Sequence, residues 1–182
     1  LMLNLDTEEW GEFYLGCAGG LDVNVQRSAI PQTLPPGYSN WRIELRGLRG
    51  GHSGVNIHEE RGNAIKLLVR VLRDLEARLQ VRLSSLLGGT ARNALPREAV
   101  AVVAVPRERQ DELARCLMEW EKCLQLELAG VESGIALSCS PVASVEDVLP
   151  PQEQAIWLAS LHAAPHGVRR MSRHMPGVVE TS

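Results

Sequence analysis

The chain has 182 residues, 45% of them hydrophobic and 23% charged, which excludes a disordered or collagen-like chain and leaves enough apolar side chain for a core. Nineteen Lys+Arg against 22 Asp+Glu give a net charge of −3 with no basic block, and aromatics make up only 4%, so a surface that tracks phosphates or stacks bases is not expected. No apolar run reaches the ~20 residues of a membrane span. Leu1 to Asp6 has neither a basic region nor a small-residue cleavage site, so no signal peptide is expected.

In chain order, Leu1 to Leu5 reads as an apolar strand ending at Asp6, followed by Gly16-Cys17-Ala18-Gly19-Gly20. Residues 29–37, punctuated by Pro31, Pro35 and Pro36, read as a linker. Trp41 to Arg46 alternates apolar and polar residues, the period of a half-buried strand. The glycine-rich stretch Gly47 to Gly54 comes next. From Asn63, apolar residues at 65, 68, 72, 75 and 79 make one stripe of a helix. Val81 to Leu87 is a second strand, closed by Gly88-Gly89, and Ala99 to Val105 a third. Pro106 then opens a second helix, with a stripe at Leu113, Leu117, Trp120, Leu124 and Leu128 and a stop at Gly130. Ile135, Leu137 and Cys139 mark a fourth strand. Gln152 to Ala163 reads as a short helix stopped by Pro165, and residues 178–182 as the start of another strand.

Strand, helix, strand, strand, helix, strand over residues 41 to 141 is the split βαβ, ferredoxin-like order. The expected fold class is α+β, an antiparallel four-stranded sheet with two helices on one face. The expected division is a flank over 1–36, a ferredoxin-like domain over 37–145 and a second flank over 146–182, the flanks being edges of a larger α/β body.

Four groups of residues invite a functional reading. Asp6, at the end of an apolar strand, has the placement of a ligand-binding carboxylate in an α/β sheet, or of a turn cap. His52 stands among Gly50, Gly51, Ser53 and Gly54, where an imidazole can donate to an oxyanion or bind a metal; a plain glycine-rich turn gives the same pattern. The connection from Gly88 to Glu98 carries Arg92, Asn93 and Arg97, suited to a substrate carboxylate or to a solvated hairpin. His162 and His166 lie four apart, but Pro165 breaks the helical face they would share. The cysteines, Cys17, Cys116, Cys123 and Cys139, include no C-x-x-C pair; Cys116 and Cys123 fall on or beside an apolar face and read as small core residues.

Three stretches together carry a resemblance: Leu3 to Gly20, Arg49 to Ala64, and Gly88 to Ala99; Arg170 to Ser182 adds to it. The sequence resembles the aminoacyl-histidine dipeptidases, of the two-zinc metallopeptidase family that includes aminoacylase and succinyl-diaminopimelate desuccinylase. The resemblance implies a cytoplasmic enzyme whose α/β catalytic domain holds two zinc ions and is interrupted by a ferredoxin-like lid that forms homodimers. It implies that Asp6 is a metal ligand, with the other ligands and the general base outside this sequence. It implies that His52 reaches the partner subunit's site as an oxyanion donor, and that Asn93 and Arg92 meet a dipeptide substrate. The 182 residues alone are expected to be inactive. The rival expectation is a non-catalytic ferredoxin-like module that dimerises or binds a small ligand.

Overall fold

The computed structural model describes residues 10–13 and 19–182. Asp6 and Cys17, singled out above, lie outside the described residues. The elements are β1 (Gln32–Thr33), β2 (Tyr38–Arg46), β3 (Gly51–His52), α1 (Ala64–Leu79), β4 (Arg82–Gly88), β5 (Ala94–Leu95), β6 (Ala99–Pro106), α2 (Gln110–Glu127), β7 (Ala136–Pro141), β8 (Asp147–Val148), α3 (Pro151–Ala163), β9 (Arg170–Met171) and β10 (Val179–Thr181).

Four strands form one antiparallel sheet in the order β4-β6-β2-β7. This is the expected ferredoxin-like sheet, with its first and third strands central. Register follows burial: Ile43 and Leu45 of β2 face the helices beside Ala101 and Ala99 of β6, all almost fully buried. A bulge between Leu83 and Ser85 shifts β4 by one residue, so that Leu83 is buried and Leu86 still packs against the core. The opposite face is polar at β2, where Arg42 and Arg46 both pair with Glu44. The hydrogen bond from Arg42 leads in holding the Glu44 carboxyl below its usual range.

Asn63 caps α1, its side chain accepting from the Lys66 N–H at 3.2 Å. The expected stripe is buried from Leu68 to Leu79, but Val69 and Val71, off that stripe, are also fully buried. Val69 lies on the side of α1 where α3 packs and sends Leu158 into the core cluster, and Val71 lies on the other side, with Asp74 and Arg78, which bond Trp120 and Glu119 of α2. α2 buries Leu113, Cys116, Leu117 and Leu124. Cys123 corrects the sequence reading: it is exposed, while desolvation raises the thiol pKa values of Cys116 and Cys139. Pro106 is also not the first residue of a helix. It ends β6, and a single 3₁₀ turn over Arg107–Arg109 precedes α2.

The two connections flanking the sheet pair with each other. β1 meets β8 with Gln32 opposite Val148, and the Leu34 N–H donates to the Glu146 carbonyl at 2.9 Å. The strand-like ends 170–171 and 179–181 form a hairpin, β9 with β10. α3 is fixed by Gln154, whose side chain has no exposed surface. Its Oε1 accepts from the Leu83 N–H at 2.6 Å, and its Nε2 donates to the Val81 carbonyl at 3.0 Å and to Glu76 at 2.7 Å.

Candidate active-site lid

Two glycine-rich segments far apart in sequence are brought together by a short ladder. β3 pairs antiparallel with β5, placing Gly51 opposite Leu95 and His52 opposite Ala94. One residue on, the Ser53 N–H donates to the Asn93 carbonyl at 2.8 Å. His52 and Asn93, proposed from separate stretches of sequence, are therefore neighbours. Gly51 makes this possible: its φ is +143°, and a Cβ there would sit 2.5 Å from the Arg61 guanidinium and 2.7 Å from Asn56 Oδ1.

The imidazole of His52 is exposed but directed. Its Nδ1 lies 3.1 Å from the Gly54 N–H nitrogen and 3.2 Å from that of Val55. A ring nitrogen that accepts two N–H groups carries the lone pair, so the proton sits on Nε2, free to donate outward. The backbone of His52 is held as well, its N–H donating to Asn56 Oδ1 at 2.9 Å and its carbonyl accepting from the Asn56 N–H at 2.9 Å. Asn56 in turn donates to Glu59, and Arg61 pairs with Glu59 at 2.8 Å. The Asn56 amide first, and then Arg61, keep the Glu59 carboxyl below its ordinary pKa. Sequence reasoning did not single out Asn56, Glu59 or Arg61 as a unit. A 3₁₀ turn over Ile57–Glu59 precedes the capped helix.

Beside His52 lies an open cleft of about 1050 Å³, with Ser53, Gly54, Arg92, Asn93 and His166 among its walls. His52 immediately precedes Ser53 and Gly54 at its margin. Arg92 is engaged by the segment before β1, pairing with Asp22 at 2.7 Å and donating to Asn24 Oδ1 at 3.2 Å. His166 belongs to the far wall. Its Nδ1 accepts from Asn63 Nδ2 at 3.1 Å, since Asn63 Oδ1 is already used as the helix cap. Desolvation lowers the His166 pKa below its ordinary value, and the Lys66 ammonium adds to this. Lys66 itself caps the end of α3, donating to the carbonyls of Leu161, His162 and Ala164.

Among the described residues, no group of three or more His, Cys, Asp or Glu side chains comes together to hold a metal ion. His162 and His166 form no such group. The donor set of the described residues therefore does not fit a zinc pair. No helix among the described residues is long and apolar enough to cross a membrane.

The ferredoxin-like sheet with helices on one face defines an α+β domain, and the comparisons with known proteins give its relatives. Residues 43–132 match the M20 peptidase dimerisation domain. Over all 182 residues the chain is 41% identical to the cytosol non-specific dipeptidase of Escherichia coli K12, and it spans 38% of that protein's length. Among solved structures it is similar to aminoacylhistidine dipeptidase from Vibrio alginolyticus, at 41% identity and a TM-score of 0.80. That match covers 84% of this chain and 31% of the other.

Proposed function

We propose that this chain is the dimerisation lid, with short flanks of the catalytic domain, of a zinc-dependent dipeptidase that cleaves Xaa-His dipeptides in the cytoplasm. One observation carries the reading: the β3–β5 ladder places His52, with Nε2–H free to donate, beside Asn93 at the edge of a cleft. The names of the relatives at 41% identity support the activity and the compartment. In this reading the lid forms a homodimer. His52 crosses to the partner's site and donates to the oxygen that becomes negative as the peptide carbonyl turns tetrahedral. Asn93 holds the substrate, and Arg92 exchanges its contact with Asp22 for the dipeptide carboxylate. The zinc ions belong to the rest of the parent protein, with Asp6 as one ligand.

The test uses the complete parent protein. A His52→Ala change lowers kcat by about 10²–10³, as expected for loss of one oxyanion donor, with zinc content and folding unchanged. Mixing that variant with a second one that lacks the general base but keeps His52 restores part of the activity. This happens because a heterodimer contains one site with both groups. If subunits exchange and no activity returns, His52 does not act across the dimer. Zinc-dependent carnosine hydrolysis by the 182 residues alone, at the rate of the parent, would refute the division of labour.

A further inference from the structure

We infer that Glu132, far from the cleft in sequence and buried beneath the His52 loop, is a positioning residue for the His52 imidazole. The inference rests, for its consequence in catalysis, on the reading of His52 given above. Its structural content stands without that reading.

Glu132 lies in the turn that follows α2 and is only 4% exposed. Its two carboxylate oxygens are used separately. Oε2 accepts from the Arg49 N–H at 2.8 Å, and Oε1 accepts from the Gly62 N–H at 2.9 Å. Arg49 and Gly62 are the two ends of the loop that carries His52. A buried carboxylate is costly unless hydrogen bonds replace its water, and here those bonds are the two gateposts of one loop. The same turn is seated by backbone contact. A Cβ on Gly47 would fall 1.8 Å from the Gly134 carbonyl oxygen, so only two glycines let these strands of backbone cross.

Between the gateposts, the polar contacts form a continuous path to the imidazole. Arg61, next to Gly62, donates to the Gly50 carbonyl at 2.5 Å and pairs with Glu59. Glu59 accepts from Asn56, and Asn56 accepts from the His52 N–H. The His52 ring then closes on its own loop through Gly54 and Val55. With both ends pinned by Glu132, this loop has one shape. With one end released, Gly50 and Gly51 are free to rotate, and the direction of Nε2–H is lost. No other acidic side chain among the described residues receives backbone N–H bonds from both ends of this loop.

Glu132→Gln is the discriminating substitution. It keeps size and one acceptor oxygen, but turns an NH₂ toward one of the two N–H donors. The first readout is the imidazole ¹⁵N spectrum of the full 182-residue chain. The native chain shows His52 as a single Nε2–H tautomer with an accepting Nδ1. In the Gln variant this signature averages toward a tautomer mixture, and the amides of Gly54 and Val55 exchange about tenfold faster. Core amides such as those of Leu72 and Val103 stay as they were. The second readout is on the parent enzyme. Glu132→Gln lowers kcat about tenfold, with KM little changed, and has no further effect when His52 is already Ala. A purely structural role would lower activity in both backgrounds.

An unchanged His52 spectrum in the Gln variant overturns the inference. If the variant does not fold, hydrogen exchange of the native chain decides instead. Arg49 and Gly62 amides as slow as those of the sheet support the clasp, and fast exchange there overturns it. If the spectrum changes but His52→Ala leaves the parent fully active, the dipeptidase role of His52 fails and the clasp stands.

Discussion

Replacing Gln154 with Met would remove three hydrogen bonds while conserving side-chain length. The Leu83 N–H and the Val81 carbonyl would lose their partner at positions only 4% and 2% exposed. Each unsatisfied buried group costs about 1–3 kcal/mol. The third partner, Glu76, is half-buried and can turn to water, so it adds little. The thioether would recover about 1–2 kcal/mol through apolar burial. The expected net loss is therefore centred on about 2.5 kcal/mol, within a span of about 0–5 kcal/mol, which is about 5–10 °C in Tm for a chain of this size. Urea titration followed by tryptophan fluorescence and far-UV circular dichroism measures it, and Trp157 on α3 reports the helix directly. Should α3 undock before the sheet melts, the fluorescence transition precedes the dichroism transition. A loss below about 0.5 kcal/mol with coincident transitions would refute the view that Gln154 fastens α3 to the β4 edge.

Two further outcomes are expected. His166 is neutral where it accepts from Asn63, and its folded pKa lies below the ordinary 6.5. The unfolded chain therefore takes up the proton first, so stability is complete above about 6.5 and falls as pH drops toward the folded pKa. His166→Asn should flatten that limb of a stability-against-pH curve, and an unaltered slope would show that another group causes it. Gly47→Ala and Gly130→Ala both add a Cβ at a positive φ, but only at Gly47 does it collide, 1.8 Å from the Gly134 oxygen, while Gly130 has open space. The first should cost about 3 kcal/mol or more and the second about 1–2 kcal/mol, the left-handed strain alone. Equal melting points for the two variants would contradict the close crossing.

The elements that repeat a period were legible in the sequence. Ile43 and Leu45 announced β2 by alternation, and Leu68 through Leu79 announced α1 by its stripe, because burial on one face writes itself into spacing. α3 was visible as a helix, but its place beside α1 and along the β4 edge was not. The sign of that contact was Val69, an apolar residue beside the stripe on the side of Lys66 and Glu76, both of which bond α3. The pairing of β1 with β8 could not be read from two short, proline-marked connections, since two-residue ladders carry no period. At the site, His52 and Asn93 stood out because small and polar residues surround them. Their adjacency is a property of the β3–β5 ladder, which pairs His52 with Ala94, 42 residues further along the chain. Glu132 was invisible for a different reason. A single acid in a turn looks solvated, and only its burial shows what it binds.

The groups that hold the site loop arrive late in the chain. Glu132 reaches back 83 residues to Arg49 and 70 to Gly62, and Gln154 reaches back 71 to Leu83. Local contacts can form α1 and α2 early, but closing such long loops costs entropy that only the finished core offsets. The stretch matching the peptidase dimerisation domain runs from Ile43, the first fully buried residue of β2, to Glu132 itself. It takes in the loop and the residue that pins it, but leaves out β7 and α3. The lid thus divides its work: the matched stretch shapes the His52 loop, and the segments beyond it close the sheet edges on either side, β7 along β2 and α3 with β8 along β4.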